Sequence, residues 1–275
     1  MVAPLAQSPA QSPAQSQAVS QLQAQLKSQE VPADAVLRDF ELTGDYLLEV
    51  DGAAQSKAKI YQSRLAGGFL VRSAALAQPV LLLPREGSVQ GVSVLSLSMQ
   101  PDGNVDILAD AELIPEGKFS LEGGDVLFEV DGRKAKLKPN PPLTGLHGAK
   151  ELFEHSAAYG QKAAKYLPDE ASLELLRQQD KAVRVKTFFG SWCPFCKDYV
   201  PHLLKVDQLL EGSKIEFQYY GLPEPPFNEE TAAKAEKVTG VPTAIIYVDG
   251  KEVGRLKQSQ WVSPEKALVK ALKGS

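Results

Sequence analysis

The rhythm of apolar and polar positions changes twice along this chain. Residues 1–35 have almost no rhythm: Ser, Pro, Ala and Gln recur through residues 7–16, and large apolar side chains are few. Such a stretch cannot bury enough surface to offset the entropy of ordering, so it is predicted to be a disordered leader. Leu22 and Leu26, four apart, predict one short helix over 21–27. From residue 36 to 138 the pattern becomes short strand-like runs. They are Tyr46-Leu-Leu-Glu-Val50, Lys59-Ile60-Tyr61, Gly68-Phe-Leu-Val-Arg72, Val80-Leu-Leu-Leu83, the alternating stretch 92–99, and residues 105–108 and 126–130. Asp51-Gly52 and Pro101-Asp-Gly-Asn104 punctuate them as turns. Strands at this spacing predict an all-β domain, a sandwich or a barrel.

Within that region Phe40-Glu-Leu-Thr-Gly-Asp-Tyr-Leu-Leu-Glu-Val-Asp-Gly52 parallels Phe119-Ser-Leu-Glu-Gly-Gly-Asp-Val-Leu-Phe-Glu-Val-Asp-Gly132. Each copy is followed by Lys-Ala-Lys and an aliphatic residue, at 57–60 and 134–137. Two accounts fit: an internal duplication, or two hairpins that converged on Asp-Gly turn chemistry.

Pro139, Pro141 and Pro142 mark residues 139–145 as a stiff linker. Beyond it, over 146–275, longer periods appear. Leu152, Phe153, Ala157, Tyr159, Ala163 and Tyr166 predict a helix over 147–167, and Asp169 is placed to cap a second over 169–179. Then come a strand (183–189), a helix (197–210), a strand (215–220), a proline-rich loop, a helix (229–238), two strands about Asp249-Gly250 and a last helix (264–272). This order is a βαβ unit followed by αββα, an α/β domain.

Composition narrows the function. The 275 residues suffice for about two domains. A net charge of −4 with no basic stripe argues against nucleic acid as a partner. No apolar run approaches the ~20 residues that span a bilayer, so no transmembrane segment is expected.

The chemistry concentrates at Trp192-Cys193-Pro194-Phe195-Cys196-Lys197, which holds the two cysteines of the chain, three apart, between a predicted strand and a predicted helix. A cysteine at a helix N-terminus feels the positive end of the dipole and unpaired N–H groups, which favour thiolate. A second cysteine one turn on is placed to attack a mixed disulfide formed by the first. Zinc is the competing use, but a structural site wants four ligands, and only His147, His155 and His202 are available. His202 lies about 240° round the helix from Cys196. No metal or other cofactor is expected, and the histidines are read as surface residues. No phosphate loop and no Ser-His-Asp arrangement points to another enzyme class.

Phe188-Phe-Gly-Ser-Trp-Cys-Pro-Phe-Cys-Lys197, together with Gly240-Val241-Pro242-Thr243 opening a later strand, resembles the thioredoxin superfamily. Lys197-Asp-Tyr-Val-Pro201-x-Leu203 is most similar to its exported TlpA-like thiol-disulfide oxidoreductases. The resemblance covers about residue 170 to the end and leaves 36–138 unexplained. It implies that Cys193 is the exposed nucleophile and Cys196 the buried resolving cysteine. It also implies that Pro242 is a cis-proline facing the motif, a geometry X-Pro bonds adopt at low cost. Val241 would pair its backbone with an extended client, as an added strand does. Trp192 would shield one side of the disulfide, while Pro194 and Phe195 would set the helix start and redox poise. Phe195 brings no positive charge, so the pair is expected to be less oxidising than the strongest family oxidant.

One position departs from the pattern. Thr187 stands six residues before Cys193, where thioredoxins carry a buried acid. Glu216 on the next strand is a candidate substitute, the plainer reading being a solvated strand-edge glutamate. Arg184 and Lys186 are unusual on a central strand and are expected near its open start or facing the β domain. Tyr219, Tyr220 and Phe227 read as core and loop packing, with the loop 221–228 near the active face.

The expected activity is thiol-disulfide exchange with protein thiols and disulfides, closer to a reductase or isomerase than to a strong oxidase, with the electron donor unknown. The alternative is an adaptor whose β domain binds a partner and whose second domain is scaffold. The leader's composition is that of spacers that follow an export signal or lipid anchor. A periplasmic or otherwise exported chain is therefore expected, with a signal removed and Met1 added. A cytoplasmic origin is the alternative, since two cysteines in a redox motif fit either compartment.

Overall fold

The computed structural model of the protein describes residues 37–227 and 229–274. The leader expected at 1–35 and its helix at 21–27 lie outside the described residues.

Two antiparallel sheets build the first domain. One contains β1 (Glu41–Thr43), β4 (Lys59–Ser63), β5 (Gly68–Arg72), β6 (Val80–Leu83), β7 (Ser88–Val92) and β10 (Leu113–Lys118), neighbours in that order. The other runs β11 (Ser120–Glu122), β12 (Asp125–Val130), β13 (Arg133–Pro139), β2 (Tyr46–Val50) and β3 (Ala53–Ala54). Leu48, Val50, Val126, Phe128, Val130 and Leu137 of the second sheet meet Ile60, Val71, Val80, Leu82 and Val89 of the first. The domain is therefore a sandwich. The six-stranded sheet is covered on its other face too. There Tyr61, Leu70, Leu81 and Leu83 pack with Phe40, Val105 and Ile107, beside a ribbon of β8 (Leu97–Met99) and β9 (Val105–Ile107). Burial on both faces explains the unbroken apolar run of β6.

The single strand predicted over 92–99 is broken. β7 stops at Val92, and Ser93 caps a 3-10 turn (Val94–Ser96), its hydroxyl accepting from the Leu95 N–H at 3.2 Å. A local side chain to backbone bond competes with the ladder there. Val94 and Leu95 point outward, 54% and 88% exposed, so the alternation that suggested a strand was not set by burial.

The two Asp-Gly hairpins lie side by side, because β13 pairs with β2. Asp51 and Asp131 both take positive φ, as does the glycine after each, the backbone of a tight two-residue turn. The Lys-Ala-Lys tails part company: Lys134 to Lys136 lie on β13, whereas Lys59 opens β4 in the other sheet. The match is therefore between hairpins and does not extend to the strands that follow them.

The second domain is a five-stranded sheet of β14 (Gly145–His147), β16 (Ile215–Gly221), β15 (Val183–Phe189), β17 (Thr243–Val248) and β18 (Lys251–Arg255), in that order. Only β15 and β16 run parallel. Val183, Val185 and Phe189 face a core shared with α1 (Ala149–His155), α2 (Ala157–Lys165), α3 (Glu170–Arg177), α4 (Pro194–Leu209) and α6 (Pro264–Lys273). Phe188, Ile245 and Tyr247 face the other side, under α5 (Thr231–Ala235). α5 is shorter than the helix predicted over 229–238, because Lys237 adopts a positive φ and closes it.

The helix predicted over 147–167 is two helices. Ser156 is extended (φ −148°) between them. The β1–β2 turn packs there: a Cβ added to Gly44 would lie 1.9 Å from the Ser156 Oγ, so only glycine fits. Asn140 clamps the junction, its amide donating to the Gly44 and His155 carbonyls at 2.8 and 3.2 Å. Tertiary contact overrides the helical period at this point.

Arg184 and Lys186 face α5 rather than the β domain. Arg184 lies over the Tyr247 ring at 4.9 Å, and Lys186 pairs with Glu236 at 3.2 Å. No described helix is long and apolar enough to cross a membrane.

Candidate active site

β15 ends at Phe189, and the turn that follows delivers Cys193 to the start of α4 as its N-cap (φ −79°, ψ 122°). Pro194 occupies the first helical position, where its missing N–H costs nothing and its fixed φ suits the helix. Gly190 makes the turn possible, since a Cβ there would stand 2.5 Å from the Trp192 ring. Trp192 is anchored by its indole N–H, which donates to the Leu222 carbonyl at 3.0 Å, and lies 6.3 Å from the Phe227 ring. The loop after β16 thus meets the motif, as expected. Tyr219 is fully buried core.

The thiols are free. The Cys193 Sγ receives the Cys196 N–H at 3.5 Å and lies 3.8 Å from the Val241 carbonyl oxygen. Cys193 is pushed down to about 6. The Cys196 thiol donating to it is the main cause, helped by the N–H groups of Cys196 and Phe195 and by the Lys197 charge, all against burial. Cys196 is pushed far up by burial and by its neighbour's charge, although the Gly190 N–H reaches its sulfur at 3.4 Å. One sulfur is thus prepared as thiolate and the other held as thiol.

Cys193 is more enclosed than an exposed nucleophile: it retains 6% of its surface and Cys196 none. Phe195 is the open side of the motif, 54% exposed, with its ring stacked 6.4 Å from Tyr199. The Val241–Pro242 peptide bond is cis. Of the residues named from sequence, Cys196 and the Val241 carbonyl lie directly at the Cys193 sulfur, with Trp192, Pro194, Phe195 and Pro242 their neighbours along the chain.

Thr187 is fully buried and its hydroxyl has no hydrogen-bond partner among the described residues. It shares the strand face of Val185 and Phe189, toward the core of α4. Glu216 does not substitute for it. That side chain is exposed and accepts from Gln218 at 2.6 Å. His155 and His202 are half-buried rather than surface residues: the first lines a cleft with Gly44 and Asp45, and Tyr166 stacks on the second at 4.1 Å. Among the described residues no cluster of His, Cys, Asp or Glu could hold a metal ion.

Two neighbours escaped the sequence reading. Tyr159 on α2 packs in the same core as both cysteines, with a buried hydroxyl that has no partner among the described residues. Burial first, then the Cys196 charge, drives its phenol up. Helical spacing marked Tyr159 as core without linking it to the motif. Asp45, in the β1–β2 turn, holds the Lys197 ammonium at 2.6 Å. No sequence signal joins residues so far apart.

Residues 165–273 match the Thioredoxin family, a distant homology that leaves out β14, α1, α2 and the β domain. Mitochondrial thioredoxin 3 from Saccharomyces cerevisiae is 23% identical over 42% of this chain and 99% of its own, with a TM-score of 0.26. Fasciola hepatica thioredoxin is 28% identical over 38% of this chain and 94% of its own, with a TM-score of 0.27. A protein of unknown function from Pseudomonas aeruginosa is 15% identical over 43% of this chain and 83% of its own, with a TM-score of 0.35. No curated protein matches the chain.

Proposed function

We propose that this protein, whose second domain is distantly homologous to thioredoxins, is a thiol-disulfide oxidoreductase acting on protein disulfides as a reductase or isomerase. The observation that carries the reading is the division of labour between the sulfurs. Cys193 caps α4 and is held near a midpoint of about 6, while Cys196 is buried and kept as thiol. The Cys193 thiolate attacks one sulfur of a client disulfide. A Cys193–client disulfide forms, and the other client sulfur leaves as thiolate. Cys196 then loses its proton to solvent or to that leaving thiolate and attacks the Cys193 Sγ. The Cys193–Cys196 disulfide forms and the second client sulfur is released. Two electrons pass to the client, and a dithiol donor must restore the pair.

The midpoint of about 6 supports the direction. It lies between about 7 for thioredoxin and about 3.5 for the most oxidising member of the superfamily. The Val241 backbone and Pro242 would receive the extended client beside Cys193. Trp192 and Phe195 would supply apolar contact on either side. TlpA-like kinship rests on Lys197-Asp-Tyr-Val-Pro201-x-Leu203, and an exported location on the leader's composition.

Insulin reduction with a dithiol donor tests the activity. Wild type turns over, Cys193→Ser does not, and Cys196→Ser accumulates a mixed disulfide with insulin. If wild type shows no turnover and Cys196→Ser traps nothing, the enzyme reading is wrong.

A further inference from the structure

The sandwich domain touches the redox helix through a charge. Asp45 stands in the β1–β2 turn, fixed from three sides. Its N–H donates to the Thr43 hydroxyl at 3.2 Å, its carbonyl receives the Asn140 N–H at 2.8 Å, and the Asn140 amide holds the preceding Gly44 carbonyl. From that anchored turn the carboxylate reaches Lys197 at 2.6 Å, each side chain about one-third exposed (33% and 29%). Lys197 directly follows Cys196 in the first turn of α4. Its positive charge is felt by both sulfurs, at a helix end that already favours negative charge.

We infer that Asp45 is a positioning residue through which the β domain tempers the redox pair, by holding the Lys197 ammonium in an ion pair and so back from the thiolate. The inference deepens the oxidoreductase reading and rests on it for its meaning. With Asp45 in place, the Lys197 ammonium is held toward the β domain, and its field at the Cys193 sulfur is weaker than that of a free side chain. The reduced pair loses part of its electrostatic stabilisation, and the couple is made less oxidising. Withdrawing the carboxylate, by mutation or by separating the domains, makes the pair more oxidising.

The charge of Asp45 reaches other groups at the junction. It adds to the upward pressure on Tyr159 and Tyr46 and partly opposes the fall at His155. Among the described residues, Cys196 and Lys197 on α4 and Tyr159 on α2 act on Cys193 or feel it, and the cleft beside Lys197 is lined by Asp45, His155 and Lys162, the last paired with Asp198. Glu224 lines the same interdomain cleft as Trp192, Asp45 and Lys197. Among the described residues, Asp45 is the acid paired with Lys197.

The test titrates thiolate absorbance on the reduced full-length protein and measures its potential against glutathione, so no client is involved. Asp45→Asn is expected to lower the Cys193 midpoint by about half a pH unit, roughly threefold in ionisation constant. At tenfold per 29.6 mV this raises the potential by up to about 15 mV. Lys197→Gln shifts both in the opposite direction, and Asp45→Glu restores the wild-type values. In a Lys197→Gln background Asp45→Asn loses most of its effect. Unchanged values in Asp45→Asn, or an equal shift without Lys197, overturn the inference. If Asp45→Asn does not fold, Lys197→Gln alone decides, since an unaltered midpoint there leaves no charge to temper. A protein that shifts as described but reduces no client retains the tuning and loses the function. One that reduces clients without the shift does the reverse.

Discussion

Iodoacetamide alkylation of the reduced protein, followed from pH 4 to pH 9, should trace a single ionisation with a midpoint of about 6, set by Cys193. At pH 7 such a group is ~90% thiolate, against ~3% for a free thiol ionising near 8.5, a ~30-fold gain in the reactive form. Nucleophilicity falls with pKa at a Brønsted slope of about 0.45. Lowering the midpoint by roughly 2.5 pH units therefore takes back ~13-fold. The net advantage at pH 7 is only two- to threefold, and the 6% exposure of Cys193 slows every rate alike. The position of the midpoint is thus diagnostic and the absolute rate is not. Cys193→Ser should abolish the acid limb, because Cys196 is held as thiol. A wild-type midpoint of 8 or above, or an acid limb that survives in Cys193→Ser, refutes the argument. The same ionisation links pH to folding. The folded pKa of Cys193 is depressed, so between about 6 and about 8.5 the native state binds fewer protons than the unfolded chain. This contribution, full above about 8.5, is lost as pH falls through about 6.

Further outcomes follow from the same core. Thr187→Val removes a buried hydroxyl that has no partner among the described residues, at nearly constant volume, and should stabilise the protein by about 1 kcal/mol in urea unfolding. A loss of that size would show that the hydroxyl is satisfied. Burial raises the Asp207 carboxyl to about 6, even though Tyr219 donates to it at 3.1 Å. The native state therefore binds this proton more tightly than the unfolded chain, and stability falls as pH rises from about 4 to about 6. Asp207→Asn should flatten that segment of a stability-against-pH curve, and an unchanged slope would contradict the raised carboxyl.

The site was more legible than the scaffold around it. The cysteine pair could be named because its spacing is local and its chemistry specific, and the structure brings the Val241 carbonyl to the Cys193 sulfur across the fold. Glu216 took the plainer of its two readings, a solvated glutamate, because its place on β16 turns it to solvent rather than toward the cysteines. Two breaks were hidden for different reasons. Ser93 ends a strand through a single hydroxyl to backbone bond, a local choice that alternation does not encode. Ser156 divides a helix because Gly44, from the other domain, presses against it. The Asp45–Lys197 pair is legible in neither pattern, since both residues look like solvated charges until the domains meet.

The equilibrium reduction potential of the Cys193–Cys196 pair tests the central claim most directly. At pH 7 a thiolate midpoint of about 6, against about 7 in thioredoxin, stabilises the reduced form by ~5.5-fold, or ~20 mV. A potential near −250 mV is therefore expected, close to thioredoxin's value of about −270 mV. A value of about −170 mV or higher, or a pair that does not equilibrate with glutathione at all, would contradict the account.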